Sequence, residues 1–530
     1  MRQDSVRRVG AMAMAVTAVA SSASAQWSSD PMVNLAIADR MGDQALPIVA
    51  PTSDGGCWIG WWDNAAGNYA MYVQRLDAAG NEQFAHNGIL VSDNPQNSAL
   101  FGWDMIADSQ DHCVIVLSDE RAGGDLDIYA YRVSPAGTLV WGAQGVTLSD
   151  NADFEPAPKV TQTSDGEYVF VWSRLPNAAD GTLLMARRDA SGAEVFPATV
   201  IASAPGEDPA FADVVGADAG TVVVSWVRDI SSFLSPRHIR AQKYSNLGLP
   251  LWPAGPISVF DATSVPISYT PIIQSDEAGG AVICWHRSQG NQFSSFVQRL
   301  DASGTEMFPH NGVEVSTNPN FFHIDPTLAF DPSNGDAYVF WNERSLNQDM
   351  WGIYGQRISV AGTRAWGDNG IQFAPINAVN KSLPRAITDG NGAIAFWFDA
   401  PSGPAGPDRI VGVRAGFGGT AQWNAVASNA ASDKMRLSME KSTNDGVLMA
   451  WVDDRNGDND VFAQRVDFDG TLGGGEDPCP ADLDGDGAVG SSDLGVLLGT
   501  WGGAGPADLS GNGTVGSEDL GILLGSWGPC

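Results

Sequence analysis

The sequence has 530 residues and a formal net charge of −33, from 62 acidic and 29 basic residues. A surface of this charge repels nucleic acid and anionic membranes, which excludes both as partners. With 61 glycines, 18 tryptophans and many short apolar runs, the composition favours an all-β body over helices.

The N-terminal segment has the pattern of a secretory signal peptide. Three arginines precede an apolar run over residues 9–20, and Ala23-Ser24-Ala25 supplies an A-x-A cleavage site before Gln26. The alternative is a membrane anchor, but the run is far shorter than the roughly 20 residues that span a bilayer, and no later segment qualifies. We therefore expect residues 1–25 to be a signal peptide and the mature protein to be secreted and extracellular, with no membrane span.

One pattern recurs at intervals of about 56 residues through most of the remaining chain. An apolar strand ends in Trp, or in one repeat Leu, and an acidic residue or Arg follows two positions later. The Trp and Leu positions, here called the Trp column, are Trp61, Leu117, Trp172, Trp226, Trp285, Trp341, Trp397 and Trp451. A second recurring pattern, here called the Gln-Arg column, is usually Gln and a basic residue followed by an apolar residue. Its basic residues are Arg75, Arg132, Arg187, Lys243, Arg299, Arg357, Arg414 and Arg465. Because both columns keep the same period, the sequence predicts eight repeats.

Each repeat has the pattern of four strands joined by tight turns. In the first repeat these are Pro47-Ile48-Val49, Cys57 to Trp62, Tyr69 to Leu76 and a fourth around Phe84 to Val91. Turns rich in Asp and Gly separate them, at Asp54-Gly55-Gly56 and Asp77-Ala78-Ala79-Gly80. One such sheet cannot bury both faces alone, so we predict an eight-bladed β-propeller of four-stranded antiparallel blades over residues 26–472.

The two ends of the repeat region are complementary. The eighth repeat stops after Asp467-Phe468-Asp469-Gly470 and lacks its fourth strand, whereas residues 27–39 resemble a fourth strand with no preceding three. We therefore expect the N-terminal strand to complete the last blade and close the ring. The competing architecture, an open solenoid, would not need that exchange. Aromatic residues at one position of the repeat are predicted to pack between sheets: Phe84, Trp141, Phe196, Trp252, Phe308, Trp366 and Trp423.

The propeller region shows no constellation typical of catalysis. His86 and His310 occupy the same repeat position, which indicates a structural turn, and the other histidines lack metal-ligand spacing. Cys57, Cys113 and Cys284 are expected to be free, buried thiols, because equivalent strands of neighbouring blades are too far apart for a disulfide. No pair of carboxylates suited to a glycosidase can be nominated.

Two acidic loops leave an alternative open. They contain Asp119, Glu120, Asp125 and Asp127 in the second repeat, and Asp453, Asp454, Asp458 and Asp460 in the eighth. Each could gather oxygens around a calcium ion. Alternatively they are solvated, with Asp127 and Asp460 pairing with Arg121 and Arg455.

A second domain follows a Gly-rich linker at residues 473–478. Two similar segments, offset by 26 residues, place oxygen donors at positions 1, 3, 5 and 12 of a twelve-residue loop, as a calcium loop requires. The expected ligands of the first loop are Asp482, Asp484, Asp486, the carbonyl of Ala488, and Asp493. Those of the second are Asp508, Ser510, Asn512, the carbonyl of Thr514, and Asp519. The first loop has four carboxylate ligands and the second has two, so we predict that the first of the two Ca²⁺ sites binds the ion more tightly. An apolar run, from Leu494 and from Leu520, follows each loop and predicts a short helix.

This duplicated loop and helix resembles the type I dockerin family over residues 479–530, including an Asp at position 12 of each loop. The resemblance implies a small α-helical, calcium-binding module that docks to a cohesin-like partner. In that family, loop positions 10 and 11 help to choose the cohesin, and here they are Ser491, Ser492, Ser517 and Glu518. The termini of such a pseudo-symmetric module come together, so we also predict a Cys479 to Cys530 disulfide in the oxidising exterior.

Two hypotheses for the whole chain follow. The first is a non-catalytic binding or scaffold protein, whose propeller recognises an extracellular protein or glycan while the dockerin-like module docks it to a partner. The alternative is a polysaccharide-degrading enzyme, a glycoside hydrolase or lyase with a propeller catalytic domain, because dockerins are often appended to such enzymes.

Overall fold

The computed structural model describes residues 27–96, 102–121, 123–176, 181–203, 207–230, 236–266, 270–401, 407–473, 481–484, 488–503, 505, 507–510 and 514–529. The predicted signal peptide and nearly all of the predicted linker lie outside these residues.

The body of the chain is an eight-bladed β-propeller of four-stranded antiparallel blades, which confirms the predicted fold. In chain order its strands are β1 (Leu35–Ala38), β2 (Gln44–Pro51), β3 (Cys57–Asp63), β4 (Ala70–Leu76), β5 (Ile89–Ser92), β6 (Trp103–Ala107), β7 (Cys113–Asp119), β8 (Asp127–Val133), β9 (Val146–Ser149), β10 (Lys159–Gln162), β11 (Tyr168–Arg174), β12 (Thr182–Arg188), β13 (Glu194–Ala202), β14 (Glu207–Gly216), β15 (Val222–Ile230), β16 (Arg237–Tyr244), β17 (Ile257–Phe260), β18 (Ile272–Ser275), β19 (Ala281–Gln289), β20 (Gln292–Leu300), β21 (Val313–Glu314), β22 (Phe321–Asp331), β23 (Asp336–Ser345), β24 (Trp351–Ile358), β25 (Ile371–Asn377), β26 (Asn380–Thr388), β27 (Gly392–Ala400), β28 (Arg409–Gly416), β29 (Ala421–Ser428), β30 (Lys434–Lys441), β31 (Gly446–Asp453) and β32 (Asp460–Asp467). A 3₁₀ turn lies at Asp218–Gly220 between β14 and β15. Blade one contains β2 to β5, and each later blade contains the next four strands, up to β26 to β29 in blade seven.

Blade eight is completed by the N-terminal strand, as predicted. Its strand order is β1, β32, β31, β30, and Leu35 of β1 lies opposite Ala463 of β32. The first strands of neighbouring blades contact one another around the whole circle, including β30 with β2, so they surround the axis. The N-terminal segment is therefore the outer strand of the last blade, and the ring is closed.

Trp27 supplies the aromatic residue that the eighth repeat lacks. Its side chain is 4% exposed, and its indole Nε1 donates a 3.0 Å hydrogen bond to the carbonyl of Ala78, in the turn between β4 and β5 of blade one. The same indole-to-carbonyl bond joins neighbouring blades at Trp141 to Ala190, Trp252 to Ala302, Trp366 to Phe417 and Trp423 to Phe468. The aromatic column therefore packs between blades, as the sequence predicted.

Side chains of the Gln-Arg column form hydrogen bonds and ion pairs with residues in or beside the turns of their own blade. Gln298 is fully buried, and its amide accepts the backbone N–H of Phe308 at 3.1 Å and donates to the carbonyl of the same residue at 3.4 Å. In seven blades the basic residue after the Gln position forms an ion pair with a carboxylate between the first strand and the start of the second, whereas Arg465 of blade eight pairs with Asp467. The seven ion pairs are Arg75–Asp54, Arg132–Asp108, Arg187–Asp165, Lys243–Asp218, Arg299–Asp276, Arg357–Asp336 and Arg414–Asp389.

The Trp column is buried, and four of its indole N–H groups donate to carboxylates, whereas those of Trp285 and Trp397 have no hydrogen-bond partner among the described residues. The pairs are Trp61–Asp63, Trp341–Glu343 and Trp451–Asp453, together with Trp172–Glu155 in blade three.

Burial raises the pKa of Glu343 to about 8, and burial lowers the pKa of the neighbouring His323, 3.4 Å away, to about 4. The pair is therefore mainly uncharged at neutral pH. Because both side chains are almost fully buried, they are closed off from any substrate.

The predicted fourth strand of blade one is shorter in the structure, because a turn interrupts it. Asn87 has a left-handed backbone (φ 71°), and β5 begins only at Ile89. His86 lies in this turn, where its Nδ1 is 3.0 Å from Glu82 and its Nε2 is 3.0 Å from Asp39, which follows β1 of blade eight. His310 repeats the arrangement with Glu306 and Asp261. Both histidines therefore join neighbouring blades at a structural turn, as predicted.

The three propeller cysteines are buried and unbridged, which confirms the sequence prediction. Burial raises the pKa of each thiol above its ordinary value. Cys57, Cys113 and Cys284 therefore pack as small apolar side chains within the sheets.

The C-terminal module contains two helices and one two-stranded sheet. The helices are α1 (Ser491–Gly499) and α2 (Ser517–Gly525), and the strands are β33 (Ala488–Val489) and β34 (Gly528–Pro529). Each helix begins three residues before the apolar run that predicted it, because the Asp at loop position 12 lies within the first helical turn. Within the described part of the chain, no helix is both long and apolar enough to cross a membrane.

We expect Trp27→Ala to destabilise the whole propeller, because it removes a buried indole and its hydrogen bond at the ring closure. The free energy of unfolding should fall by about 3–5 kcal/mol, as for other buried Trp to Ala changes. Urea unfolding followed by tryptophan fluorescence measures this. In the matched control, Trp27→Phe, the loss should be nearer 1 kcal/mol, because mainly the hydrogen bond is removed. Equal midpoints for Trp27→Ala and the unchanged protein would contradict the closure.

The His86 turn predicts a specific pH dependence. Hydrogen bonds to Glu82 and Asp39 raise the pKa of His86 from 6.5 to about 9. A raised folded-state pKa gives stability that is fully present below pH 6.5 and is lost as the pH rises through 9. As the pH rises from 6.5 to 9, the melting temperature of the wild-type protein should therefore fall more than that of the His86→Gln variant. Parallel profiles would show that the turn does not bind the proton more tightly in the folded state.

Candidate metal centre

The first predicted loop brings three carboxylates together. Oxygen atoms of Asp482, Asp484 and Asp493 all lie within 4.8 Å of one another. Among the described residues this is the one group of carboxylate, His or Cys side chains close enough to hold a metal ion. Carboxylate oxygens are the ligands that Ca²⁺ prefers, so the geometry is suitable for a calcium site.

Asp493 also organises the backbone of its loop. One carboxylate oxygen accepts the N–H groups of Leu483 at 2.7 Å and Asp484 at 3.1 Å, and the other accepts the N–H of Gly490 at 2.6 Å. These backbone hydrogen bonds, that of Gly490 above all, lower the pKa of Asp493. The side chain is therefore ionised well below neutral pH, as a calcium ligand must be.

The second loop repeats this arrangement with fewer carboxylates. Asp519 accepts the N–H groups of Ser510 at 2.7 Å and Gly516 at 2.6 Å, and the bond from Ser510 is the main cause that lowers its pKa. Ser510 Oγ donates to Asp508 at 3.3 Å. Position 3 thus carries a hydroxyl where the first loop has a carboxylate, which is consistent with a weaker second site.

A pseudo-two-fold relation joins the two loop–helix units. The small core is made of residues that correspond at the 26-residue offset: Ala481 and Ala507, Val489 and Val515, and Leu497 and Leu523. Val489 of β33 pairs with Gly528, which follows α2, and Val515 exchanges backbone hydrogen bonds with Gly502 and Gly503, which follow α1. Each loop is therefore held by the segment after the other helix.

Several predicted site residues lie outside the described residues: Asp486, Asn512, Cys479 and Cys530. The Cys479 to Cys530 disulfide stays a prediction. Ala488 lies in β33 and Thr514 immediately precedes the buried Val515 of the second loop. The predicted partner-binding residues Ser491, Ser492, Ser517 and Glu518 are all exposed in the first turns of the two helices.

The acidic loops of blades two and eight do not form the pairs expected from the sequence. The ion pairs formed are Arg121–Asp119 at 2.6 Å and Arg455–Asp453 at 2.5 Å. The expected pairing of the arginines with Asp127 and Asp460 is therefore wrong, because each arginine folds back on the carboxylate two residues before it. Asp127 instead accepts the N–H of Asn151 at 2.8 Å, and Asp460 accepts the side chain of Asn456 at 2.6 Å.

Comparison with known proteins gives structural similarity but no family. No protein-family model matches the sequence, and no curated protein matches it. Among solved structures, a polysaccharide lyase of family 25, an ulvan lyase, has a TM-score of 0.47 and 9% identity, over 82% of this chain and 96% of the lyase. A puromycin hydrolase has a TM-score of 0.44 and 11% identity, over 78% of this chain and 59% of the hydrolase. An α-L-arabinofuranosidase from Fusarium graminearum has a TM-score of 0.34 and 13% identity, over 58% and 92%.

We expect removal of a carboxylate from the first loop to abolish the tighter calcium site. In calorimetric titration of the whole protein, Asp482→Ala and Asp493→Ala should each lose the high-affinity phase, because each removes a charged ligand from the cluster. Asp508→Ala, the matched change in the second loop, should leave that phase intact and weaken only the second. If Asp508→Ala removed the high-affinity phase instead, the assignment of the tighter site would be reversed.

Proposed function

We propose that this chain is a secreted, calcium-binding scaffold or binding protein. Its propeller recognises an extracellular protein or glycan, and its dockerin-like module, folded by calcium, docks it to a cohesin-like partner. The observation that carries the proposal is the cluster of Asp482, Asp484 and Asp493 within one half of a duplicated loop–helix unit.

Calcium has a physical reason to fold this module. Its core has few buried apolar side chains, and a domain of about 50 residues buries too little apolar surface to be stable without a metal ion, disulfide or partner. Three neighbouring carboxylates repel one another without a cation. A bound Ca²⁺ would remove that repulsion and contribute its binding free energy to folding.

The exposed faces of the helices support a docking role. α1 and the residues after it expose Leu498 and Trp501, which are 52% and 48% accessible. Leu524 and Trp527 at the corresponding positions of α2 are 53% and 50% accessible. Large exposed apolar side chains on so small a module mark a protein-binding surface. The leucines lie on the same helices as the four predicted partner-binding residues and the tryptophans directly after them, so an apolar cohesin-like surface is the partner that fits.

The docking role predicts calcium-dependent binding to cohesin domains. Surface plasmon resonance of the whole protein against a panel of recombinant type I cohesins should show binding in millimolar Ca²⁺ and none in excess chelator. Because the module has two corresponding faces, Trp501→Ala combined with Trp527→Ala should weaken binding at least tenfold. Leu247→Ala, at an exposed propeller turn, is the control and should have no effect.

A panel in which no cohesin binds in calcium would remove the docking role. Calcium-independent binding would do the same, because the partner would then not depend on the folded module.

A further inference from the structure

Eight residues at one level of the first strands form a ring around the propeller axis, here called the axial ring. In every blade this residue pairs with the residue immediately before the Trp column. In blade order the ring is Ile48, Asp104, Lys159, Asp213, Ile272, Thr327, Arg385 and Ser438. Cavities of about 570 and 400 Å³, lined chiefly by first strands, share Arg385 as a lining residue.

One side of the axial ring is electrostatically balanced. Lys159 Nζ lies 3.7 Å from a carboxylate oxygen of Asp104 on the preceding blade. The charge of Asp104, and to a lesser degree that of Asp213 on the following blade, raises the pKa of Lys159. Lys159 therefore has a carboxylate from a neighbouring blade on each side, and these compensate its positive charge.

The opposite side has a base without a carboxylate beside it. Arg385 lies between Thr327 and Ser438 in the ring, and its Nη1 donates to the backbone carbonyl of Pro384 at 3.1 Å. No carboxylate among the described residues lies within ion-pair distance of its guanidinium. Burial lowers the pKa of Arg385, and the charge of Asp325, which lines the larger cavity with it, opposes that shift without forming an ion pair.

A second arginine lines the smaller of the two cavities together with Arg385. Arg436, on the first strand of the next blade, is exposed and forms no ion pair with any described residue. Glu440 lies on the same strand as Arg436, and removal of its carboxyl group from bulk water, with the charge of Asp104 as a second cause, raises its pKa to about 7. At neutral pH this carboxyl is therefore partly protonated, which reduces the repulsion that an anion in the cavity would meet.

The backbone before each axial-ring residue has a recurring conformation. In seven blades the residue two positions before it, within or just before the first strand, has a left-handed backbone: Leu46, Gly102, Ala157, Phe211, Asp325, Leu383 and Arg436. Five of these lie at register shifts that mark β-bulges. Bulges redirect side chains, and because this one recurs in most blades it is a feature of the repeat rather than of one site.

We propose that Arg385, Arg436, Thr327 and Ser438 form a binding site for the carboxylate of a hydroxylated ligand, a sugar acid. The guanidinium groups bind the carboxylate. Thr327 has a hydroxyl to donate, and so does Ser438, whose Oγ already accepts the N–H of Val49 at 3.0 Å. The carboxyl groups of Asp213, which lines the larger cavity, and of Glu440, on the same strand as Ser438, accept hydrogen bonds from ligand hydroxyls. This site deepens the ligand-binding role proposed for the propeller and rests on it, but it is independent of the calcium module.

Isothermal titration calorimetry of the whole protein with glucuronate tests the site. Glucose, which has the same ring and hydroxyl groups but no carboxylate, is the neutral comparison ligand. We expect glucuronate to bind with a Kd in the millimolar range or below and glucose not to bind. Arg385→Gln should weaken glucuronate binding roughly tenfold or more, because it removes a charge-assisted hydrogen bond. Arg364→Gln is the matched control, since it removes a base that pairs with Asp368 outside both cavities, and it should change the affinity little.

Three results would overturn the proposal: no binding of glucuronate, equal binding of glucose, or an unchanged affinity in Arg385→Gln. Displacement of glucuronate by equimolar sulfate would also overturn it, because a general oxoanion site needs no ligand hydroxyls. If Arg385→Gln unfolds, as judged by circular dichroism, Arg436→Gln at the exposed neighbouring position replaces it and should weaken binding severalfold. The calcium titration is a separate measurement, so failure of this site leaves the docking role intact.

Discussion

The pairing of β1 with β32 is the constraint on which the rest of the propeller depends. A blade exposes both apolar faces until neighbours cover them, and the eighth blade lacks an outer strand until the N-terminal segment supplies it. The same segment places Trp27 against the turn of blade one, where it forms the interblade hydrogen bond that other blades form with their own tryptophans. Closure also brings β30 against β2, so the cavity on the axis is enclosed all the way round.

The architecture was predictable from the sequence because the roles of its two columns recur in most blades. Large apolar side chains are buried at the same position of each blade, and in seven blades the base of the second column pairs with a carboxylate between the first two strands. Trp27 was missed as a member of the aromatic column because it lies at the opposite end of the chain from the repeat that it completes. The sequence indicated a turn at His86, but the predicted fourth strand around Phe84 to Val91 ran through it, because the left-handed backbone of Asn87 and its contact with Asp39 of the neighbouring blade appear only in the structure.

The candidate sites differ in how far the sequence could predict them. The candidate calcium loops could be proposed from the sequence because metal coordination requires oxygen donors at regular spacing, and Asp482, Asp484 and Asp493 lie close together in the structure. The axial ring has no such signal, because its members differ in residue type from blade to blade. It lies 12 to 14 residues before the Trp column, but only the strand pairing shows that these positions face one cavity. That Arg385 lacks a carboxylate partner is likewise a property of the folded ring.

The central claim is that calcium folds the C-terminal module of a scaffold whose propeller is stable without the ion. Hydrogen–deuterium exchange of the whole protein with and without Ca²⁺ tests this most directly. The amides of Leu483, Asp484 and Gly490, which bind Asp493, should become strongly protected when calcium is added, and those of the propeller strands should not change. Exchange in residues 481–529 that is the same with and without calcium would contradict the account.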